Sequence, residues 1–233
     1  MKAKNSKIAD FVSMEFEKRA DEKRAKEMAA YMKTDMPFFG VQKPERIPIY
    51  RELKKQFKPA DRSIYESNAR ALWRLPQRES KYAALFYAGA FSEYVDAESI
   101  ELYEEMIRDG AWWDFVDDIA INLVGHAYKK DRKILKKRID KWVCDDDMWV
   151  RRTTLICHNH HKTETDEEQL FKTCLLLSPE KEFFIRKGMG WALREYSYVA
   201  PKEVKRFVLT NQNKLSPLTF REATKQLVRA GLM

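Results

Sequence analysis

Trp113 and Asp117 lie four residues apart in a helical-looking run over residues 112–123, so both project from one side of that helix. A carboxylate beside an indole suits recognition of a cationic group: the ring quadrupole attracts the cation and the carboxylate supplies counter-charge. The alternative reading of the same pair is a cap or a salt bridge to an adjacent helix. Arg152 lies inside the otherwise apolar Met148–Ile156 stretch. If buried it needs an anionic partner, and that partner is either Asp117 or a phosphate. In residues 183–196, the positions Ile185, Met189, Ala192, Leu193 and Tyr196 form one apolar stripe at helical spacing. Trp191 is off that stripe and shares another face with Phe184, Lys187, Gly188 and Arg194. Cations for phosphates, interleaved with rings for bases or sugars, are what a nucleic-acid surface requires. The competing reading packs Trp191 against a neighbouring helix pair.

Other chemistries find little support. Cys157-His158-Asn159-His160-His161 looks metal-like, but adjacent helical positions fan around the axis and leave only Cys157 and His161 able to share a face. Two candidate ligands do not make a zinc site, so no metal is expected. There is no phosphate-cradling glycine loop, no GxSxG and no HExxH. The cysteines, Cys144, Cys157 and Cys174, are odd in number and share no CxxC spacing. A reducing, cytoplasmic setting follows.

The elements that must carry these residues read as helices. The 233-residue chain has only 7 Gly and 8 Pro, about half the usual share, and an all-β fold would need them at every turn. With 44% apolar and 12% aromatic residues, it can bury about 70–75% of its extended-chain surface. No apolar stretch approaches a membrane span, residues 83–91 being about half of one. The charge is uneven. Of the net +8, residues 181–233 supply 11 basic against 4 acidic side chains, and residues 129–141 hold 8 against 2. Such fields attract polyanions, nucleic acid first.

Trp73, Trp112, Trp149 and Trp191 recur at separations of 39, 37 and 42 residues. A period near 40 with two helices per unit is the signature of HEAT-type solenoids. Ser178-Pro179 and Ser216-Pro217 read as helix starts, Thr165 and Glu168 as a capping box, and Asp145 to Asp147 as caps before Met148. Breaks at residues 37–40, 58–59, 76, 109–110 and 201 give about ten or eleven helices. The expected fold is all-α, a curved superhelix of HEAT-like antiparallel helix pairs.

Four spaced motifs carry a resemblance: Trp-Trp-Asp-x-Val-Asp at 112–117, Trp-x-x-Arg at 149–152, Lys-Glu-Phe-Phe-Ile at 181–185 and Gly-Trp-x-Leu-Arg-Glu-Tyr at 190–196. With segments 31–33, 39–46 and 72–79, they make the chain similar to the bacterial AlkD family of DNA glycosylases over about residues 20–230. The resemblance implies a superhelix of HEAT-like repeats that hydrolyses the N-glycosidic bond of N3- and N7-alkylated purines in duplex DNA, without metal or organic cofactor. It further implies that Asp117 is the catalytic carboxylate and that Trp113 and Trp191 flank the damaged nucleotide. Tyr31, Gln42, Arg46, Arg152, Phe183, Phe184, Lys187 and Arg194 would hold the duplex.

The organisation expected is a loosely assigned segment, residues 1–20, before a single HEAT-like domain over 21–233. The protein is expected to be monomeric and cytoplasmic, with double-stranded DNA carrying alkylated purines as its partner and no membrane. Two rivals share this fold: a catalytically silent DNA-binding paralogue, and a HEAT-type protein-interaction scaffold.

Overall fold

A computed structural model describes residues 6–233, and among these every regular element is helical. The chain divides into two compact units: the described residues up to Val95, and Asp96–Met233.

The first unit holds α1 (Lys7–Glu17), α2 (Glu22–Met32), α3 (Lys43–Gln56), α4 (Arg62–Trp73) and α5 (Arg78–Ala90). Residues that sequence alone did not place begin with α1. Ser6 caps it, accepting from the Ala9 N–H, and Ile8, Ala9, Val12 and Phe16 are buried on its inner face. That spacing of one, three and four is an amphipathic stripe, packed on α3 and α4. Pro76 ends the path of α4, and α5 folds back against it through the short 74–77 connection.

At the start of α5, Glu79 is fully buried. Its carboxylate accepts from the Phe39, Gly40 and Val41 N–H groups at 3.0, 2.8 and 3.0 Å. This carboxylate satisfies three donors that the 39–41 segment would otherwise bury unpaired. Gly40 turns at φ +85°, and a Cβ there would lie 2.1 Å from the Asp21 carbonyl oxygen. Glu79 and Gly40 together fix where α3 begins and thus where Gln42 sits.

The second unit runs through α6 (Ile100–Gly110), α7 (Trp113–Asp118), a π-helical segment Ile119–Val124, α8 (Gly125–Lys130), α9 (Arg132–Trp142) and α10 (Met148–Ile156). It continues with α11 (Glu167–Leu177), α12 (Phe183–Ser197), α13 (Pro201–Thr210) and α14 (Pro217–Arg229). Helix α12 packs on α10, α13 and α14. Its stripe of Ile185, Met189, Ala192 and Leu193 is buried with Leu155, Ile156, Cys174, Val204, Val208 and Leu227.

The helices outnumber the ten or eleven expected because several breaks use no proline or glycine. Asp131 separates α8 from α9 with its own backbone out of helical geometry, and its side chain accepts from the Ala97 N–H. Two expected starts also move. Ser178 ends α11 and donates to the Leu175 carbonyl, while α12 starts only at Phe183. Helix α11 is capped by Asp166 rather than by Thr165, whose hydroxyl donates to the Lys162 carbonyl. Ser216 and Asp147 cap α14 and α10 as read.

Removing the Glu79 carboxylate leaves three buried N–H groups without acceptors. Glu79→Ala is expected to cost on the order of 3 kcal/mol, measured by urea unfolding. An unchanged midpoint would show that the 39–41 segment finds other acceptors.

Candidate active site

Three helices of the second unit converge on Arg152. Its side chain, on α10, is 4% exposed, and its hydrogen-bond partners come from α7 and α12. Nε and Nη2 donate to the two oxygens of Asp117 at 2.8 and 2.9 Å, a bidentate pair. Nη1 donates to the Phe184 carbonyl oxygen at 2.5 Å, and the guanidinium carbon lies 5.8 Å from the Phe184 ring centre. Of the two partners the sequence left open for Arg152, this structure gives Asp117. The phosphate contact expected of Arg152 would have to reach a buried guanidinium that already gives three of its five N–H donors to Asp117 and Phe184.

Space for that guanidinium comes from α12. A Cβ on Gly188 would stand 2.8 Å from Nη1 of Arg152, so a side chain there would collide with the pair. Asp117 keeps 17% of its side chain exposed. Burial pushes its carboxyl above the ordinary aspartate value, while the hydrogen bonds and charge of Arg152 pull it back. Trp113 precedes Asp117 by one turn of α7 and is 37% exposed, an unusual exposure for an indole. The π-helical turn follows directly after Asp118. Such turns often mark functional sites.

Phe184 belongs to a ring cluster with Trp112 and Trp149, at 6.0 and 4.9 Å between ring centres. Trp112 is the half-buried residue before α7. Phe183 meets Phe184 edge-on but is 58% exposed. Seven residues along α12 from Phe184, about 10 Å, stands Trp191. It is half-buried against the core, with its indole N–H donating to Glu195 at 3.1 Å. One side of the indole packs on the protein and the other reaches solvent.

Lys187 and Arg194, read as free cations, share a partner that the sequence did not reveal. Glu222 on α14 is 3% exposed and bonds Lys187, Arg194 and Lys225 at 2.8, 2.7 and 2.6 Å. Burial alone would raise its carboxyl; the three cations bring it down to about 2. Gly190 permits the approach of α14, since a Cβ there would lie 2.5 Å from the Glu222 Cβ and 2.9 Å from the Thr219 carbonyl. One signal was present: two glycines, 188 and 190, in mid-helix, where each costs about 1 kcal/mol relative to alanine unless something approaches closely.

Tyr31, Gln42 and Arg46 belong to the first unit. Tyr31, on α2, is 77% exposed. Gln42 precedes α3, its N–H donating to Glu45. Arg46 lies over the Tyr82 ring at 4.5 Å.

Among the described residues no helix is long and apolar enough to cross a membrane. No curated protein matches the sequence closely enough to count as a relative. Among solved structures, the predicted DNA alkylation repair enzyme from Enterococcus faecalis is similar, with 27% identity and a TM-score of 0.82 over 90% of this chain and 97% of that one. AlkD2 from Streptococcus mutans shares the fold at 19% identity and a TM-score of 0.59, over 76% of this chain and 87% of its own. The family model of the DNA alkylation repair enzymes matches residues 12–227. A match over nearly the whole chain, on the helices that place Asp117, Arg152 and Trp191, means that this protein belongs to the DNA alkylation repair enzyme family.

Proposed function

We propose that the protein is a monomeric DNA glycosylase that hydrolyses the N-glycosidic bond of N3- or N7-alkylated purines in duplex DNA. One observation carries the reading. The Asp117 carboxylate is clamped, two oxygens to two guanidinium nitrogens, one helical turn from an exposed indole. A protein-interaction surface has no use for such a group, and family membership supplies the link to alkylated DNA.

Alkylation at N3 or N7 leaves the purine cationic and a good leaving group. The C1′–N bond breaks with its electron pair going to the base, which departs neutral, and positive charge develops on the sugar. Water then adds at C1′ and releases a proton. The task left to the enzyme is electrostatic: a preorganised negative charge beside the sugar, with ring faces that favour a cation. Asp117 supplies the charge, and Trp113 and Trp191 the faces. Arg152 acts on Asp117 rather than on DNA, fixing the oxygens and favouring the ionised form against burial. Tyr31, Gln42, Arg46, Phe183, Lys187 and Arg194 contact the duplex, and Phe184 supports them from within the ring cluster.

Purified protein should release 7-methylguanine or 3-methyladenine from methylated duplex DNA with chelator present; product analysis by chromatography decides it. Binding of the duplex without release would favour the silent paralogue. Loss of release on chelation, with recovery on added zinc, would overturn the metal-free mechanism.

Asp117→Asn is nearly isosteric and uncharged, and should slow single-turnover excision by about 100-fold or more. The carboxylate works only when ionised, so wild-type excision should fall as pH drops through the Asp117 pKa. Burial places that inflection above the ordinary aspartate value of about 3.9. The residual rate of Asp117→Asn, corrected for spontaneous depurination, should lack it. Gly188→Ala leaves both charged groups in place but crowds Arg152, and should slow excision by about tenfold or more through misplacement of the carboxylate. Wild-type rates in both variants would remove Asp117 from the chemistry.

A further inference from the structure

Helices α12 and α14 carry an imbalance of charge that the active-site account does not use. Three cations, Lys187, Arg194 and Lys225, converge on one carboxylate. Lys187 and Lys225 bond the same oxygen of Glu222, at 2.8 and 2.6 Å. Their ammonium groups are thus held no further apart than two hydrogen bonds allow. Like charges at such separation repel, and a single carboxylate leaves the cluster at +2. The exposures are divided in an informative way. Glu222 is 3% exposed, whereas the side chains of Lys187, Lys225 and Arg194 are 39%, 48% and 23% exposed. The negative member is sealed beneath, and the positive members face water with most of their N–H donors uncommitted. Gly190 is what lets α14 bring Glu222 this close.

We infer that Glu222 gathers Lys187, Arg194 and Lys225 into a preformed clamp for one backbone phosphate, with Lys225 a DNA contact in its own right and Glu222 a positioning residue. The clamp sits beside Trp191, which lies one turn from Lys187 and from Arg194 on α12. A backbone phosphate here, with its single negative charge, would halve the excess and accept the free donors. Long lysines on a surface lose rotamer freedom when they bind. Glu222 has already imposed that order, so binding a phosphate costs less. The inference rests on the DNA-binding part of the proposed function but not on excision.

The test exploits a sign. On a DNA-binding face, deletion of a negative charge ordinarily strengthens binding of a polyanion. If Glu222 positions the cations, its deletion weakens binding instead. Undamaged duplex DNA is titrated by fluorescence anisotropy against the full chain at several salt concentrations. Glu222→Gln should bind about fivefold or more weakly. Lys225→Gln should weaken binding and make the log–log salt slope shallower, by up to about 0.9. The double variant Lys187→Gln/Lys225→Gln should lose no more than about that same 0.9, because both lysines serve one phosphate. Equal or tighter binding by Glu222→Gln overturns the inference, as does a reduced melting temperature with wild-type affinity, which marks a structural role only. If Glu222→Gln does not fold, the exposed Lys225 decides: wild-type affinity and slope in Lys225→Gln overturn it. A double variant losing two such units means two separate phosphates and overturns the single clamp. Should wild-type protein not bind duplex DNA at any salt, the proposed function falls and the clamp with it; wild-type binding with unaffected variants sinks the clamp alone.

Discussion

A guanidinium taken out of water must recover several kcal/mol of hydration from protein partners, and the site is built around how Arg152 does so. Asp117 supplies a bidentate carboxylate from α7 and Phe184 a carbonyl from α12. Each partner is held in turn. The carbonyl belongs to the first turn of α12, which the Trp112–Trp149–Phe184 ring cluster packs in place. The carboxylate lies on a short helix continued by a π-helical turn whose Ile119, Ala120 and Leu123 are buried. Removing either half of the ion pair strands the other, so α7, α10 and α12 are positioned together or not at all. The Asp117 carboxylate thereby gains fixed oxygens without a rigid loop.

Helix α12 carries two such arrangements two residues apart, and each requires a missing side chain. Gly188 admits the Arg152 guanidinium from α10, and Gly190 admits Glu222 and the start of α14. Two glycines in a helix interior cost about 2 kcal/mol in propensity. Burial of Ile185, Met189, Ala192 and Leu193 on the opposite stripe offsets that cost. The helix is therefore held by its apolar face while its other side is left free for charge.

The all-helical class was legible because low glycine and proline content and helical periodicity are local properties. The candidate site residues were read as departures from the stripe; Trp113 is exposed, Asp117 keeps 17% of its side chain exposed, and Trp191 is half-buried against the core. Their partners were not. Arg152 could be read as needing an anion, but which anion depends on how α7 meets α10, a contact across 35 residues of chain. Glu222 looked like one more acidic residue of a basic tail, and only the α12–α14 approach shows it to be buried. Caps failed where two hydroxyl or carboxylate residues competed, as at Thr165 and Asp166, because the winner depends on where the incoming chain enters.

The distribution of charge explains why two basic segments of similar composition differ. In residues 129–141, Lys129 pairs with Glu164, Lys130 with Asp96, Arg132 with Asp166, Lys136 with Glu168, and Arg138 with Glu101 and Glu104. Five of that run's cations are matched one for one or better, so most of its formal charge cancels at contact distance. Between α12 and α14 three cations divide one carboxylate, and that carboxylate is buried. Opposite charges at contact distance leave little field beyond about a Debye length of 10 Å, whereas an uncompensated pair of cations still acts there. Per residue, 129–141 is the denser run, with 8 basic residues in thirteen. Pairing removes much of that charge, and the uncompensated cations of α12 and α14 lie beside Trp191.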